Sequence, residues 1–234
     1  MSNDLIIHIL IPVYNEANSL EKNIKRVISA LDKDDIAFNI TIIDDGSTDA
    51  TLDIVKILGK EDRRIFCYTL NKNIGKDIAI MSCLCSVNAA CFLVLDSDMQ
   101  LPLHYIKKMV DIIKDDPNID IISAERESRN TGTALYRLMT TLFYTLLLIL
   151  TGKDMRFSTD YKLFNSKCAK LIRDQFNSGQ LYFRGVCERL PVKHIKTKVF
   201  LSNSTRKTRF SIIKYFVHAK NVFLSIYRQR RMFK

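Results

Sequence analysis

A chain of 234 residues with 47% hydrophobic and 26% charged residues has the length for one sizeable core and is too apolar to be a disordered chain. Its 36 Lys and Arg against 25 Asp and Glu leave a net charge of +11, so the expected partner is anionic: a nucleotide, a nucleic acid or a lipid surface. Six cysteines form no C-x-x-C and no metal-type pairing with the four histidines, and Met1-Ser2-Asn3-Asp4 puts no basic region before the first apolar run, which predicts reduced cytosolic thiols and no signal peptide.

Residues 5–13 are an apolar run broken only by His8, which predicts a buried parallel strand with His8 as a core histidine. The run stops at Pro12-Val13-Tyr14-Asn15-Glu16, and Leu20, Ile24, Val27 and Leu31 then recur at helical spacing. A second strand over 38–43 ends in Asp44-Asp45-Gly46-Ser47-Thr48-Asp49. Gly46 suits a tight turn there, and Ser47 or Thr48 a helix cap before Leu52, Val55 and Leu58. A third strand at 65–70 leads through Asn71-Lys72-Asn73-Ile74-Gly75-Lys76 into a helix over 77–87.

The fourth strand organises the chain: Cys91-Phe92-Leu93-Val94-Leu95 is apolar, and Asp96-Ser97-Asp98-Met99-Gln100 follows at once. Two carboxylates separated by one small residue can share a divalent cation. Hard oxygen ligands suit Mg²⁺ or Mn²⁺, with places kept for water and substrate phosphates. Gln100 can add an amide oxygen or orient the site, and Pro102 opens the next helix. An isolated D-x-D is ordinarily a solvated acidic turn. Directly after a buried strand, where open α/β sheets bind their ligands, the metal reading is preferred.

The alternation of strands and helices predicts an α/β fold, a mostly parallel sheet with helices on both faces. A helix over 103–114, a turn at 115–118 and a fifth strand over 119–123 follow, then the polar stretch Glu125-Arg126-Glu127-Ser128-Arg129-Asn130. Residues 135–150 are almost wholly apolar from Leu138, yet shorter than the roughly 20 residues a membrane span needs. They read as a buried helix or one lying in a membrane interface. From Thr208 onward Phe210, Ile213, Phe216, Val217, Phe223, Leu224 and Tyr227 recur at helical spacing, and Arg228-Gln229-Arg230-Arg231 begins a basic ending. An apolar aromatic stripe with a cationic border is an interfacial signature. Packing on the sheet is the alternative for either helix alone; two such helices and the net charge favour a membrane surface. Residues 1–134 are read as a donor-binding half and 135–234 as an acceptor half of one continuous domain.

Taken in order, Ile11-Pro12-Val13-Tyr14-Asn15-Glu16, Asp44-Asp45-Gly46-Ser47-Thr48-Asp49, Asn73-Ile74-Gly75-Lys76 and Asp96-Ser97-Asp98-Met99-Gln100 resemble the GT-A glycosyltransferases of family 2. Within these the likeness is to dolichol-phosphate mannosyltransferases and bacterial polyprenyl-phosphate glycosyltransferases. In the second half, Asp160-Tyr161-Lys162-Leu163 resembles the family's D-F-R-L and Tyr182-Phe183-Arg184-Gly185 its R/Y-F-x-R-G. Arg206-Lys207-Thr208-Arg209-Phe210-Ser211 stands in the place of R-x-x-G-x-S-K, with Arg209 for the glycine and Ile212 for the lysine.

The resemblance implies a Rossmann-like GT-A fold and a UDP- or GDP-linked sugar donor, with its diphosphate on Mg²⁺ or Mn²⁺ at Asp96 and Asp98 beside Ser97. Pro12, Tyr14, Glu16 and Lys76 fall in its donor-binding motifs. Asp45 would accept from a base N–H or a ribose hydroxyl, with Asp44 as the alternate; Glu16 also reads as a first-turn helix charge. The implied acceptor is a polyprenyl phosphate, dolichyl or undecaprenyl, whose oxygen is already anionic and needs no strong base. Such a site must neutralise two anions, work for a metal and for Arg126, Arg129, Arg184 and Arg206, with Ser211 beside the last. Each arginine reads equally as surface charge. For a hydroxyl acceptor a carboxylate would take the proton, and Asp160 is the first choice, although it can also orient the acceptor or a cation. Asp98, Asp160 and Arg129 are therefore the expected catalytic set.

The family's transmembrane helices do not follow in this sequence, so a peripheral enzyme on the cytoplasmic face is expected, alone or with a membrane-anchoring partner subunit. Two other readings compete: a family 2 enzyme using a saccharide or other hydroxyl acceptor, and an inactive basic protein that binds membranes or nucleic acid. The Asp96/Asp98 pair and the lack of an RNA-binding motif argue against the last, and no nucleic-acid partner is expected.

Overall fold

The computed structural model describes residues 5–100, 102–126 and 134–199. The apolar runs become β1 (Ile7–Val13), β2 (Phe38–Asp44) and β4 (Cys91–Val94), buried along almost their whole length, as strands covered on both faces must be. With β3 (Ile65–Thr69) they form a parallel set in the order β3-β2-β1-β4. Pro12 is tolerated inside β1 because pairing with β4 ends at Leu10↔Val94, before its missing N–H would be needed on that side. His8 is a core histidine, with Nε2 2.7 Å from Thr41 Oγ1.

Helices α1 (Leu20–Lys33), α2 (Thr51–Glu61) and α4 (His104–Asp115) bury Leu20, Ile24, Val27, Leu31, Val55, Ile106 and Met109 against one face of the sheet. The other face carries α3 (Lys76–Ser86), α6 (Ser166–Asn177) and α7 (Phe183–Arg189), packed on Leu10, Phe92, Val94 and Phe164. The expected α/β sheet with helices on both faces is therefore present. Ser47 and Thr48 are not caps of α2. The Asn15 N–H donates to Ser47 Oγ (3.0 Å) and the Thr48 N–H to Asn15 Oδ1 (2.8 Å), so both serve the neighbouring loop.

The second half interleaves with the first. β6 (Ser158–Asn165) lies between β4 and β5 (Ile121–Arg126) and is antiparallel to both, while β7 (His194–Val199) pairs parallel with β5. The full order is β3-β2-β1-β4-β6-β5-β7. β6 and β7 were not expected, and β5 runs on to Arg126, so Glu125 and Arg126 are strand residues and not part of a polar loop. α5 (Ala134–Thr151) precedes β6. Among the described residues no helix is long and apolar enough to cross a membrane.

Candidate active site

Parallel strands deliver their ends to one edge of the sheet, so Tyr14–Glu16, Asp44–Asp45, residues 71–75 and the D-x-D of Asp96 and Asp98 gather there. β6 runs the other way, with Val94 opposite Lys162, so its beginning returns to the same edge and sets Asp160 beside the end of β4. β5 ends there too, with Arg126.

On the β1–β2 side the loops are stitched by side chains to backbone. Asp44 Oδ1 accepts the Ser47 N–H at 3.1 Å, and Asp45 accepts the N–H groups of Ile74 (2.8 Å) and Gly75 (2.9 Å), one on each oxygen. Both carboxylates are buried. At Gly46, φ is +67°, and a Cβ would stand 2.5 Å from the Lys72 carbonyl carbon, so only glycine lets the two loops lie this close. Asp45 thereby holds the segment that starts α3 and presents Lys76. Pro12 is buried within β1, whereas Tyr14 is exposed and Glu16 accepts the Ser19 hydroxyl at 2.8 Å.

The D-x-D turn has its own supports. Met99 takes φ +47°, and Asn23 of α1 donates to the Ser97 carbonyl at 2.8 Å. Asn23 sits on the apolar stripe of α1, a polar intrusion that marks it in hindsight; such a bond contributes about 1 kcal/mol and fixes where the aspartates point. Gln100 donates its amide N–H to Asp98 Oδ2 at 2.7 Å and so orients that carboxylate. An open cleft of about 320 Å³, lined by Asn15, Glu16, Asn18, Ser19, Asn23 and Asp98, lies beside the turn.

On the β4–β6 side the side chains are held by charge. The Lys76 ammonium contacts Asp96 and lies 2.6 Å from Asp160 Oδ2, and Arg184 of α7 forks onto the same Asp160 carboxylate at 3.0 and 3.1 Å. Burial alone would push the Asp160 carboxyl up; Arg184 and Lys76 outweigh it and hold it well below the usual carboxylate range. Burial likewise opposes the charge on Lys76, and Asp160 and Asp96 more than restore it. Asp77, which sequence reasoning passed over, accepts the Phe183 N–H at 3.0 Å and so ties α3 to the start of α7. Burial first, then the Asp160 charge, pushes its carboxyl up to about 6.

The donor set suits a hard divalent cation. Asp96 and Asp98 are oxygen ligands at a partly open edge, and no group of three His, Cys, Asp or Glu able to hold a metal exists among the described residues. Two carboxylates fit an ion that completes its shell with phosphate and water. The surplus negative charge already recruits the Lys76 ammonium. Beneath, Tyr161 lines a cavity of about 10 Å³ with Asp96 and Gln100, and its buried hydroxyl finds no hydrogen-bond partner among the described residues. Lys76, Asp96, Asp160 and Arg184 are thus brought together. Asp44 and Asp45 bind the backbone of neighbouring loops and Pro12 lies within β1, all at the same edge, and Arg129, Arg206, Ser211 and the expected C-terminal interface helix lie outside the described residues.

The family model described as glycosyl transferase family 2 matches residues 8–190. Undecaprenyl-phosphate 4-deoxy-4-formamido-L-arabinose transferases of Salmonella choleraesuis and Salmonella paratyphi B are each 34% identical over 151 residues, 64% of this chain and 45% of the relative. The match thus spans just under half the length of those relatives. Among solved structures, glucosyl-3-phosphoglycerate synthase from Mycobacterium tuberculosis, in complex with Mn²⁺, UDP-glucose and phosphoglyceric acid, superimposes with a TM-score of 0.64 at 14% identity, covering 95% of this chain and 78% of that one. Mannosyl-3-phosphoglycerate synthase from Rubrobacter xylanophilus gives a TM-score of 0.65 at 13% identity, covering 97% and 75%. At these identities the structural likeness concerns the fold alone.

Proposed function

The chain belongs to glycosyl transferase family 2, and from that premise we propose that it transfers a sugar from a nucleotide-sugar donor to the phosphate of a polyprenyl phosphate at a membrane surface. The observation that carries this reading is Asp160. The carboxylate best placed to act as a base is clamped between Arg184 and Lys76 and held ionised, which makes it a poor proton acceptor. A hydroxyl nucleophile needs a base; a phosphate oxygen does not. The Salmonella relatives are undecaprenyl-phosphate 4-deoxy-4-formamido-L-arabinose transferases, which supports the same acceptor class.

In this mechanism an oxygen of the acceptor phosphate attacks the anomeric carbon while the bond to the donor's diphosphate oxygen breaks, and the nucleoside diphosphate leaves with that electron pair. Arg184, Lys76 and Arg126, with Arg129 and Arg206 as expected from the resemblance, offset the repulsion between the two anions. Asp160 orients Arg184 and Lys76. Asp96 and Asp98, with Gln100 orienting Asp98, would hold Mg²⁺ or Mn²⁺, whose charge would stabilise the departing diphosphate. The cleft beside Asp98, lined also by Asn15, Glu16 and Asn23, would take the nucleoside. Uridine is the first base to try, since the structural neighbour carries UDP-glucose.

The membrane assignment rests on α5. Leu138, Leu142, Leu146 and Ile149 lie exposed along one side, Ile149 at 71%, while Phe143, Tyr144 and Leu147 are buried on the other. An uncovered apolar stripe of this kind suits a bilayer interface. Whether a partner subunit adds an anchor is part of the same proposal. A second reading, transfer to a hydroxyl, is favoured only by Asp77, whose raised carboxyl would make a serviceable base. The test is nucleoside diphosphate release from UDP-sugars with Mn²⁺, with and without a polyprenyl phosphate in detergent. Release that depends on the lipid phosphate and yields an extractable glycolipid is expected; release that ignores it, or a product on a saccharide, sinks the proposal.

A further inference from the structure

Away from the reacting edge, β6 and α7 share a second ion pair of opposite sense. Lys162 follows Asp160 by two residues on the same face of the strand, and Glu188 follows Arg184 by four on the same face of the helix. Lys162 Nζ lies 2.8 Å from Glu188 Oε1, with the lysine side chain 0% exposed. Every N–H of that ammonium is used, since it also donates to Ser123 Oγ (2.7 Å) and Ser158 Oγ (3.3 Å). Glu188 in turn accepts from Ser158 Oγ at 2.7 Å and faces Lys196 at 3.2 Å. Behind Ser123 stands His194, kept neutral because burial pushes it down to about 4.

A buried pair of this kind is poor value as plain stabilisation, because apolar residues of similar volume usually hold a core at least as well. Its sense relative to Asp160–Arg184 is what carries information. The step from Asp160 to Lys162 is about 6.6 Å along a strand, and that from Arg184 to Glu188 is about 6 Å along a helix, so the two ladders match. Sliding α7 by one step would set Arg184 against Lys162, or Glu188 against Asp160, and bury like charges together. α7 has only seven residues and cannot hold its place by intrinsic helix stability. Asp77 fixes its first N–H, and Phe183, Val186 and Cys187 seat it in the apolar core, contacts that do not by themselves choose which charge Arg184 faces.

We infer that the Lys162–Glu188 pair is a register lock that seats α7 on β6 so that Arg184 meets Asp160, which makes Lys162 and Glu188 positioning residues for the transfer site. The lock itself is read from β6 and α7; its consequence for catalysis rests on the proposed role of Arg184.

The test uses the full chain labelled with ¹⁵N-arginine. The Arg184 Nε–H resonance, assigned by its absence in Arg184→Lys, reports the bond to Asp160 without any substrate. In the double variant Lys162→Met/Glu188→Leu, which leaves no buried charge unpaired, the melting temperature should stay within a few degrees of wild type. Exchange of the Arg184 Nε–H should nonetheless quicken at least tenfold, and the acceptor KM should rise about tenfold with donor KM unchanged. An Arg184 signal that keeps wild-type protection overturns the lock. Should the double variant not fold, Glu188→Gln is read in the same way: faster Arg184 exchange supports the lock and unchanged exchange overturns it. Lost protection with wild-type acceptor KM upholds the lock and removes Arg184 from the acceptor site, so the two readings fail separately.

Discussion

The β1–β2 side of the site and the β4–β6 side meet at one edge but are held by different forces. On the first, carboxylates bind backbone: Asp44 takes Ser47, and Asp45 takes Ile74 and Gly75, which ties the loops to one another. On the second, charges bind charges: Lys76 is shared by Asp96 and Asp160, and Asp160 by Lys76 and Arg184. A hydrogen-bonded loop keeps its partners when a ligand arrives. A cluster of balanced charges can redistribute toward an incoming anion. On the proposed function, the hydrogen-bonded half would lie under the nucleoside and the charge-held half under the group that accepts the sugar.

The D-x-D stands between these halves and gives the largest expected effect. Asp98→Asn should lower the transfer rate by a factor on the order of 10³ at saturating donor and metal, with the melting temperature unchanged. A wild-type rate would remove Asp98 from the metal site.

Arg184→Ala probes the charge-held half. It strips one of two cations from a buried carboxylate that keeps Lys76, and we expect a loss of about 2 kcal/mol in stability together with an acceptor KM raised tenfold or more. Donor KM should move by less than twofold; equal changes in both would erase the division of labour between the halves.

Outside both halves, Leu142→Glu/Ile149→Glu on α5 should weaken co-sedimentation with anionic phospholipid vesicles several-fold, because each exposed side chain would contribute about 1 kcal/mol on entering the interface. Undiminished binding would move the membrane contact away from α5.

The smallest effect is on pH dependence. Native Asp77 keeps its proton up to about pH 6, whereas in the unfolded chain it ionises near pH 4. Between these values the native state binds more protons, so its stability falls as pH rises and stays lower above pH 6. Asp77→Asn still offers an oxygen to the Phe183 N–H but cannot ionise. It should melt a few degrees above wild type at pH 8, with the difference shrinking below pH 6 and gone near pH 3.

How much of this was legible follows from the same division. β1, β2 and β4 announce themselves as apolar runs, and the carboxylates after them are placed by the rule that parallel strands end at one edge. β6 was missed because Asp160, Lys162 and Asn165 give Ser158–Asn165 a polar look, although the structure buries nearly all of it. β7 carried a legible alternation, with Ile195, Thr197 and Val199 against His194, Lys196 and Lys198. Asp77 and Phe183 are 106 residues apart, and no local pattern could have paired them. Asp160 and Arg184 were singled out by resemblance, but their pairing depends on an antiparallel strand that the sequence did not reveal.

The central claim is that the acceptor brings its own negative charge, so the most direct measurement compares a polyprenyl phosphate with the matching polyprenol as acceptor for one nucleotide sugar. With Asp160 held ionised between Arg184 and Lys76, the phosphate should be glycosylated at least 10³-fold faster, the scale of general-base assistance that the alcohol would lack. Comparable kcat/KM for the alcohol would contradict the account and make a base, with Asp77 the first to test, part of the mechanism.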